Sequence, residues 1–428
     1  MKIQQSNQKI NPFGGLNFVN HSIEQSGVIQ LIDQELGNRP PQADYSYSDV
    51  FKSMWLLALS GADCAEDITE HFKSVLSNIP NTKVPGADTI LRVQKSLSTE
   101  KETIVSASGT THQMNVNTSL NRLNLKIAKH LGLLNQQTQD YVLDYDNQFQ
   151  PQEKCDAKKS YKMKRGYFPG ISSIGNLPVY LEHRNGNSNV KFQQSLTLKR
   201  CYDLLAEEGI TIDKSRMDCG SFAKDIVEVV EANCNKFYIR AQRCEDLKEC
   251  LRQIPQEEWQ QVEIGYKHYQ ICSLQYTPFG QDKAYRYVVS REKNNTGQVD
   301  LFTGDDFTYR AIMTNDEETS DLGVIEFYND RAESEVLFDV MNNDFWWNKQ
   351  PFSFLEENTV FLLIMAMCKN IYTWLLKSYS KKLAFLKPNY RLKKFIFRFI
   401  TLPAKWIKRG RQQILKIFTS KPYHLLLE

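Results

Sequence analysis

Apolar residues recur every three to four positions along Tyr47–Ser60 (YSDVFKSMWLLALS) and along Leu120–Leu134 (LNRLNLKIAKHLGLL), the period of helices with one buried face. Between them, Asn78–Asp88 carries two prolines and a glycine and reads as a loop. Residues 1–137 are therefore expected to form a helical N-terminal domain. Just after Asp140 the period becomes two. YVLDYD sets Tyr141, Leu143 and Tyr145 on one face of a strand and Val142, Asp144 and Asp146 on the other.

The elements that follow alternate. Ile171–Asn185 reads as two strands about Gly175–Pro178, Leu196–Glu208 as a helix and Thr211–Asp218 as a strand. Ala223–Asn233 reads as a helix and Lys236–Arg240 as a strand. The order β–β–β–α–β–α–β, a three-strand meander before the first helix, is the connectivity of an RNase H-like domain. From Cys244 the runs QVEIGYKHYQICSLQY, AYRYVVSRE and FTYRAIMT predict antiparallel β-structure. Helical patterning returns over Phe327–Trp347. The longest apolar run, Val360–Cys368, is too short to cross a bilayer, which takes ~20 residues, and reads as a buried helix. The expected fold class is α/β: an RNase H-like catalytic domain, a mixed five-stranded sheet with helices, interrupted by a β insertion. A helical N-terminal domain precedes it and a basic helical tail follows. The expected segments are 1–137, 138–243, 244–320 (the insertion), 321–376 and 377–428.

Composition adds little until its distribution is considered. A hydrophobic share of 41% and a charged share of 24% are ordinary for a soluble globular protein, and net charge is only +3. Yet Asn358–Leu427 holds fifteen Lys or Arg and no Asp or Glu, which predicts a polyanion-binding tail. Three readings of that tail compete: a DNA-backbone contact, an amphipathic helix on a membrane surface, or a helix packing on its own protein or a dimer partner. The nine cysteines are scattered singly without a C-x2-C pair, and the N-terminus lacks an apolar signal segment. Both features fit a reduced, cytoplasmic protein with no integral membrane association.

Read as one helix, Phe327–Trp347 (FYNDRAESEVLFDVMNNDFWW) places Tyr328, Arg331, Glu335 and Asn342 within an arc of roughly 60°. Phe338, Met341 and Phe345 lie beside that stripe and would pack it on a core, so a charged group is held at the edge of an interior. Two-metal phosphoryl transfer needs carboxylates converging from different elements to hold divalent ions ~3.5–4 Å apart, and Mg²⁺ prefers hard oxygen ligands. Asp146 or Asp144 on the first strand, Asp218 after a later strand and Glu335 on the late helix meet that need.

The pieces LDYDN, RMDCGS, KFYIRA and FYNDRAESEVLFDVMNNDF, in this order and with Y-x2-R-x3-E in the last, resemble bacterial insertion-sequence transposases of the DDE type. The segments HRNGN (183–187) and PFSFLEENTVFLLIMAMCKNIY add to the likeness, which runs from Tyr141 to about Trp374. The resemblance is to the branch with a β insertion before the third acid. It implies that Asp146, Asp218 and Glu335 are catalytic and hold two Mg²⁺ ions, for which Mn²⁺ can substitute. Asp144 is the alternative first ligand, weighted about 1:2 against Asp146. Glu333 lies off the Tyr328/Arg331 stripe and is expected to be solvated. Tyr328 and Arg331 would contact terminal phosphates of double-stranded DNA; the plain alternative for Arg331 is an ion pair with Glu335. Lys158, Lys159, Lys162, Lys164 and Arg165, in the basic loop after the first strand, would contact the DNA backbone. The N-terminal domain would bind DNA or dimerise.

Two departures stand out. Asn342 occupies the place of a signature lysine seven residues beyond the glutamate, with Lys349 as a possible substitute, and Gln148 stands where a threonine or serine often follows. The implied activity is cut-and-paste transposition: strand cleavage at terminal inverted repeats and strand transfer into target DNA, by a homodimer in a synaptic complex at the bacterial nucleoid. The rival readings are an RNase H-like nuclease without strand transfer and a catalytically inactive DNA-binding descendant.

Overall fold

The computed structural model describes every residue except 81, 136–139, 281–282, 294–306 and 428, together with the side chains of all but residues 248 and 332–334. The boundary expected at 137/138 and the side chain of Glu333 lie outside the described residues. The chain divides into two compact units. The first comprises Met1–Asn135, Pro151–Ala157 and Asp339–Glu428; the second comprises Gln136–Gln150 and Lys158–Phe338.

The first unit opens with helices α1 (Gly15–Gln25), α2 (Val28–Leu36), α3 (Tyr47–Ser60), α4 (Lys73–Leu76) and α5 (Ala87–Ser96). The start of α3 is fixed by a reciprocal cap. Ser46 Oγ accepts the Asp49 N–H, while the Asp49 carboxylate accepts the Ser46 N–H. Gly61, at φ +89°, ends the same helix in the left-handed conformation that glycine takes most readily. A hairpin, β1 (Glu102–Val105) and β2 (Thr111–Asn115), precedes α6 (Thr118–His130). This region is thus not purely helical: Thr103, Ile104, Val105 and Thr111 favour extended backbone.

In chain order there follow β3 (Tyr141–Asn147), β4 (Gln150–Pro151), β5 (Lys158–Lys159), β6 (Arg165–Tyr167), β7 (Gly170–Ile174) and β8 (Leu177–Arg184). Next come α7 (Gln194–Glu207), β9 (Ile212–Met217), α8 (Lys224–Asn233), β10 (Cys234–Arg240) and α9 (Glu245–Arg252). Strands β11 (Gln260–Ile264), β12 (Lys267–Tyr276), β13 (Tyr285–Lys293) and β14 (Phe307–Thr314) lead to α10 (Asp321–Asn329) and α11 (Ala332–Asp344).

The second unit is built on strands in the order β8-β7-β3-β9-β10-β14-β13-β12-β11. β9 is parallel to both β3 and β10, and the other neighbours are antiparallel. The expected five-stranded sheet is therefore extended: β14 pairs with β10, so the later strands continue the same sheet. Every residue of β8 is buried. Val324, Ile325 and Tyr328 of α10 pack with Tyr238 on β10 and with Ile271, Val288 and Ile312 on the added strands.

The helix expected over Phe327–Trp347 is broken. Asp330 caps α10, Arg331 lies in the break, and α11 starts at Ala332. Asn329 and Asp330 are weak helix formers whose side chains compete for backbone hydrogen bonds. Tyr328, Arg331, Glu335 and Asn342 therefore do not share one helix face.

The remainder of the first unit is α12 (Leu355–Lys382), α13 (Leu392–Phe395) and an antiparallel hairpin, β15 (Ala404–Arg409) and β16 (Gln412–Ile417). The tail is thus only partly helical. Trp406, Ile407, Ile414 and Ile417 suit a strand, and Gly410, at φ +61°, makes the turn. By length and composition α12 could cross a membrane, but 89% of its most apolar window is buried inside the fold, as in a core helix. Trp55 Nε1 donates to Ile364 O (3.1 Å), Trp347 Nε1 to Leu362 O (3.0 Å) and Asn370 Nδ2 to Asn124 Oδ1 (2.9 Å), tying α12 in place.

Lys369 of α12 is only 4% exposed and donates to Thr373 Oγ1 (2.7 Å). Burial pulls its pKa down to about 7, with Asp344 opposing. The unfolded chain therefore binds this proton more tightly, and stability rises with pH between about 7 and the ordinary ~10.4. Lys369→Met should stabilise the protein at neutral pH by on the order of 2–3 kcal/mol and flatten that rise, as urea unfolding across this pH range will show.

Candidate active site

β3 and β9 run parallel with Tyr145 paired to Met217, so Asp146 and Asp218 emerge side by side at the carboxyl ends of neighbouring strands. Asp218 caps a short 3₁₀ turn: its Oδ1 accepts the Gly220 N–H at 2.9 Å. A Cβ on Gly220 would sit 3.0 Å from that oxygen, so glycine leaves it room. Asp146 Oδ1 accepts the Asn147 N–H at 2.8 Å.

Arg331 reaches both remaining carboxylates. Its Nη1 donates to Asp146 Oδ2 (3.3 Å) and its Nη2 to Glu335 Oε1 (3.4 Å). The Arg331 side chain is 13% exposed and that of Glu335 69%, so the site is closed at Asp146 and open at Glu335. Burial disfavours the Arg331 charge, but Tyr328, Asp146 and Asp218 outweigh it and raise its pKa. Tyr328 is buried and its hydroxyl donates to Met217 O (3.1 Å), fixing the end of α10 to the end of β9.

Burial pushes the pKa of Asp146 up to about 6, and the neighbouring Asp218 charge adds to this while Arg331 opposes it. Like charges are thus crowded in a partly desolvated place. The folded state holds the Asp146 proton more tightly than the unfolded chain, so metal-free stability falls as pH rises from ~4 through about 6. Asp146→Asn should remove this loss, raising stability at pH 7 in chelator by on the order of 2 kcal/mol. Denaturant titrations on either side of that range check it.

Asp144, the alternative first ligand, is engaged elsewhere. It is 1% exposed, and both its oxygens accept from Arg216, at 2.7 Å from Nε and 2.7 Å from Nη2. Arg216 Nη1 also donates to Phe327 O (2.7 Å), and its guanidinium lies 4.9 Å from the Phe327 ring centroid. This clasp holds α10 against the two strands. Sequence reasoning missed Arg216; its signal was the pair of matched patterns D-x-D in LDYDN and R-x-D in RMDCGS.

Lys158, Lys159, Lys162, Lys164 and Arg165 are exposed on and around the β5–β6 turn, where Lys159 pairs with Arg165 in the strand register. Lys349 belongs to the first unit and pairs there with Asp63. It lines a cavity of about 530 Å³ together with Asn342, Trp346 and Lys393.

Aspartates thus stand at adjacent strand ends, and a glutamate carried on a helix is joined to Asp146 through Arg331; all three offer hard oxygen donors. Among the described residues, the group of acids and thiols whose ligand atoms already lie within 4.8 Å of one another is Asp63, Cys64 and Asp67. The chain belongs to the family described as transposase DDE domain group 1, whose model matches residues 7–428. This is a family of DNA-binding transposases that act in DNA recombination. None of the curated proteins matches the chain. Among solved structures, the piggyBac transposase synaptic complex with hairpin DNA is similar at 10% identity and a TM-score of 0.43, covering 91% of this chain and 79% of that one.

Proposed function

We propose that the chain is an active cut-and-paste transposase whose Asp146, Asp218 and Glu335 hold Mg²⁺. The observation that carries this reading is the burial of Asp146 beside the Asp218 charge, which together raise it to about 6, with Arg331 spanning Asp146 and Glu335. Such excess negative charge is what divalent cations offset. Bound Mg²⁺ would activate water and stabilise the charge that develops on the phosphate. Asp144 is left out of the ligand set because Arg216 occupies both of its oxygens.

The strand order β8-β7-β3-β9-β10, with its three-strand meander, supports an RNase H-like catalytic domain, and β11–β14 would be the insertion before the third acid. Arg331 has the forked geometry to hold a terminal phosphate of the transposon end, with Tyr328 orienting it. Lys158, Lys159, Lys162, Lys164 and Arg165 would position the DNA backbone, and Lys349 would be a further contact. Water attacks phosphorus and the 3′ oxygen leaves; the freed 3′-hydroxyl then attacks a target phosphate in the same way. Two ends must be joined together, so a homodimer in a synaptic complex at the bacterial nucleoid is the working assembly.

The test is cleavage, by purified protein with Mg²⁺, of a plasmid carrying the element's own flanking ends. Double-strand breaks at the boundaries support the transposase. Cleavage elsewhere points to a nuclease without strand transfer. End binding without cleavage points to an inactive descendant, in keeping with Asn342 in place of the signature lysine.

A further inference from the structure

We propose that the β15–β16 hairpin is a separate DNA-contact element that lies on the phosphate backbone of a duplex; the choice of DNA as its partner rests on the transposase reading. The register places Lys405 directly opposite Lys416. Like charges so placed repel and weaken a hairpin, so this pair works against the fold unless an anion lies between or over them. Alternation puts Lys405, Ile407 and Arg409 on the same face as Gln412, Ile414 and Lys416. Arg409 and Arg411 flank Gly410 at the tip.

No described residue neutralises this charge. Lys405, Lys408, Arg409, Arg411 and Lys416 form no ion pair among the described residues, and no acid occurs anywhere in Asn358–Leu427. Glu24, which lines a cavity with Trp406 and Gln413, is taken by Lys52. The opposite face anchors the hairpin: Trp406 Nε1 donates to Asn17 Oδ1 (2.9 Å), and Ala404 bridges to Asn11. Trp406 and Ala404 thus fix one face to the protein, while on the other Arg409, Gln412 and Lys416 are exposed and Lys405 is half-buried.

The dimensions suit a duplex. Lys405 and Arg409 lie ~13 Å apart along an extended strand, close to the axial rise of about four nucleotides at 3.4 Å each. A two-stranded ribbon also fits the major groove. Ile407 and Ile414, paired between the cations, are placed for apolar contact with sugars or thymine methyls.

The experiment is a salt-dependent fluorescence-anisotropy titration of a fluorescein-labelled linear duplex with the full-length protein. It compares wild type with the combined variant Lys405→Gln, Arg409→Gln, Arg411→Gln and Lys416→Gln. Each lost phosphate contact should flatten the slope of log K against log salt by ~0.9, so about 3–4 in all. The Lys405→Gln, Lys416→Gln pair alone should give about half of that, with an unchanged or higher melting temperature, and Lys→Arg at both positions should keep the wild-type slope. Equal slopes in wild type and the combined variant would overturn the proposal. So would hairpin-dependent cosedimentation with phosphatidylglycerol vesicles when the DNA slope does not change. Hairpin-dependent binding by a protein that never cleaves would uphold this element while defeating the transposase reading; end cleavage with equal slopes would do the reverse.

Discussion

Glu335→Gln should lower cleavage at the element's ends by on the order of 10³-fold, about 4 kcal/mol of transition-state stabilisation, with no loss of fold. The substitution keeps the shape of the side chain and its hydrogen bond from Arg331 but removes the charge. Because the side chain is 69% exposed, the fold hardly feels the change. Asp218→Asn should behave alike. Asp144→Asn should differ, since Arg216 would keep its buried position without a counter-charge. That variant is expected to unfold at lower denaturant, a defect its activity will follow. Comparing the three variants by melting temperature and end cleavage separates ligand from scaffold. Equal cleavage by Glu335→Gln and wild type would remove the glutamate from the site.

Glu182→Ala should cost about 3–5 kcal/mol of unfolding free energy. Glu182 and Arg184 on β8 are both fully buried. Arg184 Nε donates to Glu182 Oε1 (3.1 Å), Nη1 to Phe192 O (2.6 Å) and Nη2 to Thr197 Oγ1 (2.5 Å). Thr197 Oγ1 in turn donates to Glu182 Oε1 (2.6 Å), and Arg200 approaches Glu182 at 3.7 Å. Removing the carboxylate strands a guanidinium where water does not reach. Replacing both partners, Glu182→Leu with Arg184→Met, should cost less than the single change, because no charge is then left alone. Urea unfolding of the single and double variants gives the comparison directly.

This network shows what local pattern does and does not carry. The alternation in YVLDYD, TIDKSRMD and KFYIR was enough to place β3, β9 and β10, because each strand's facing is written in its own residues. The choice between Asp144 and Asp146 was not, since both lie on one strand face. What favours Asp146 in the proposed reading is Arg216, 72 residues away in sequence, which takes up both oxygens of Asp144. The break between α10 and α11 was hidden for a similar reason. Its periodicity is helical throughout, but Tyr328 is bonded to Met217 and Arg331 to Asp146, both on other elements. The β15–β16 hairpin was legible in principle. Arg409-Gly410-Arg411 is a turn between alternating runs, masked by reading the basic and aromatic residues as one helical tail.

The first unit draws on both ends of the sequence, with the Trp55 indole seated on the Ile364 carbonyl. During synthesis, at ~5–20 residues per second, the strands of the second unit have all emerged before α12 exists. Helices α3, α5 and α6 pack on other N-terminal helices but also on α12, so this part of their core is completed only when α12 has emerged. A ribosome that stops before Leu355 therefore releases Trp55 and Asn124 without their partners Ile364 and Asn370, so the loss reaches the N-terminal half as well as the tail.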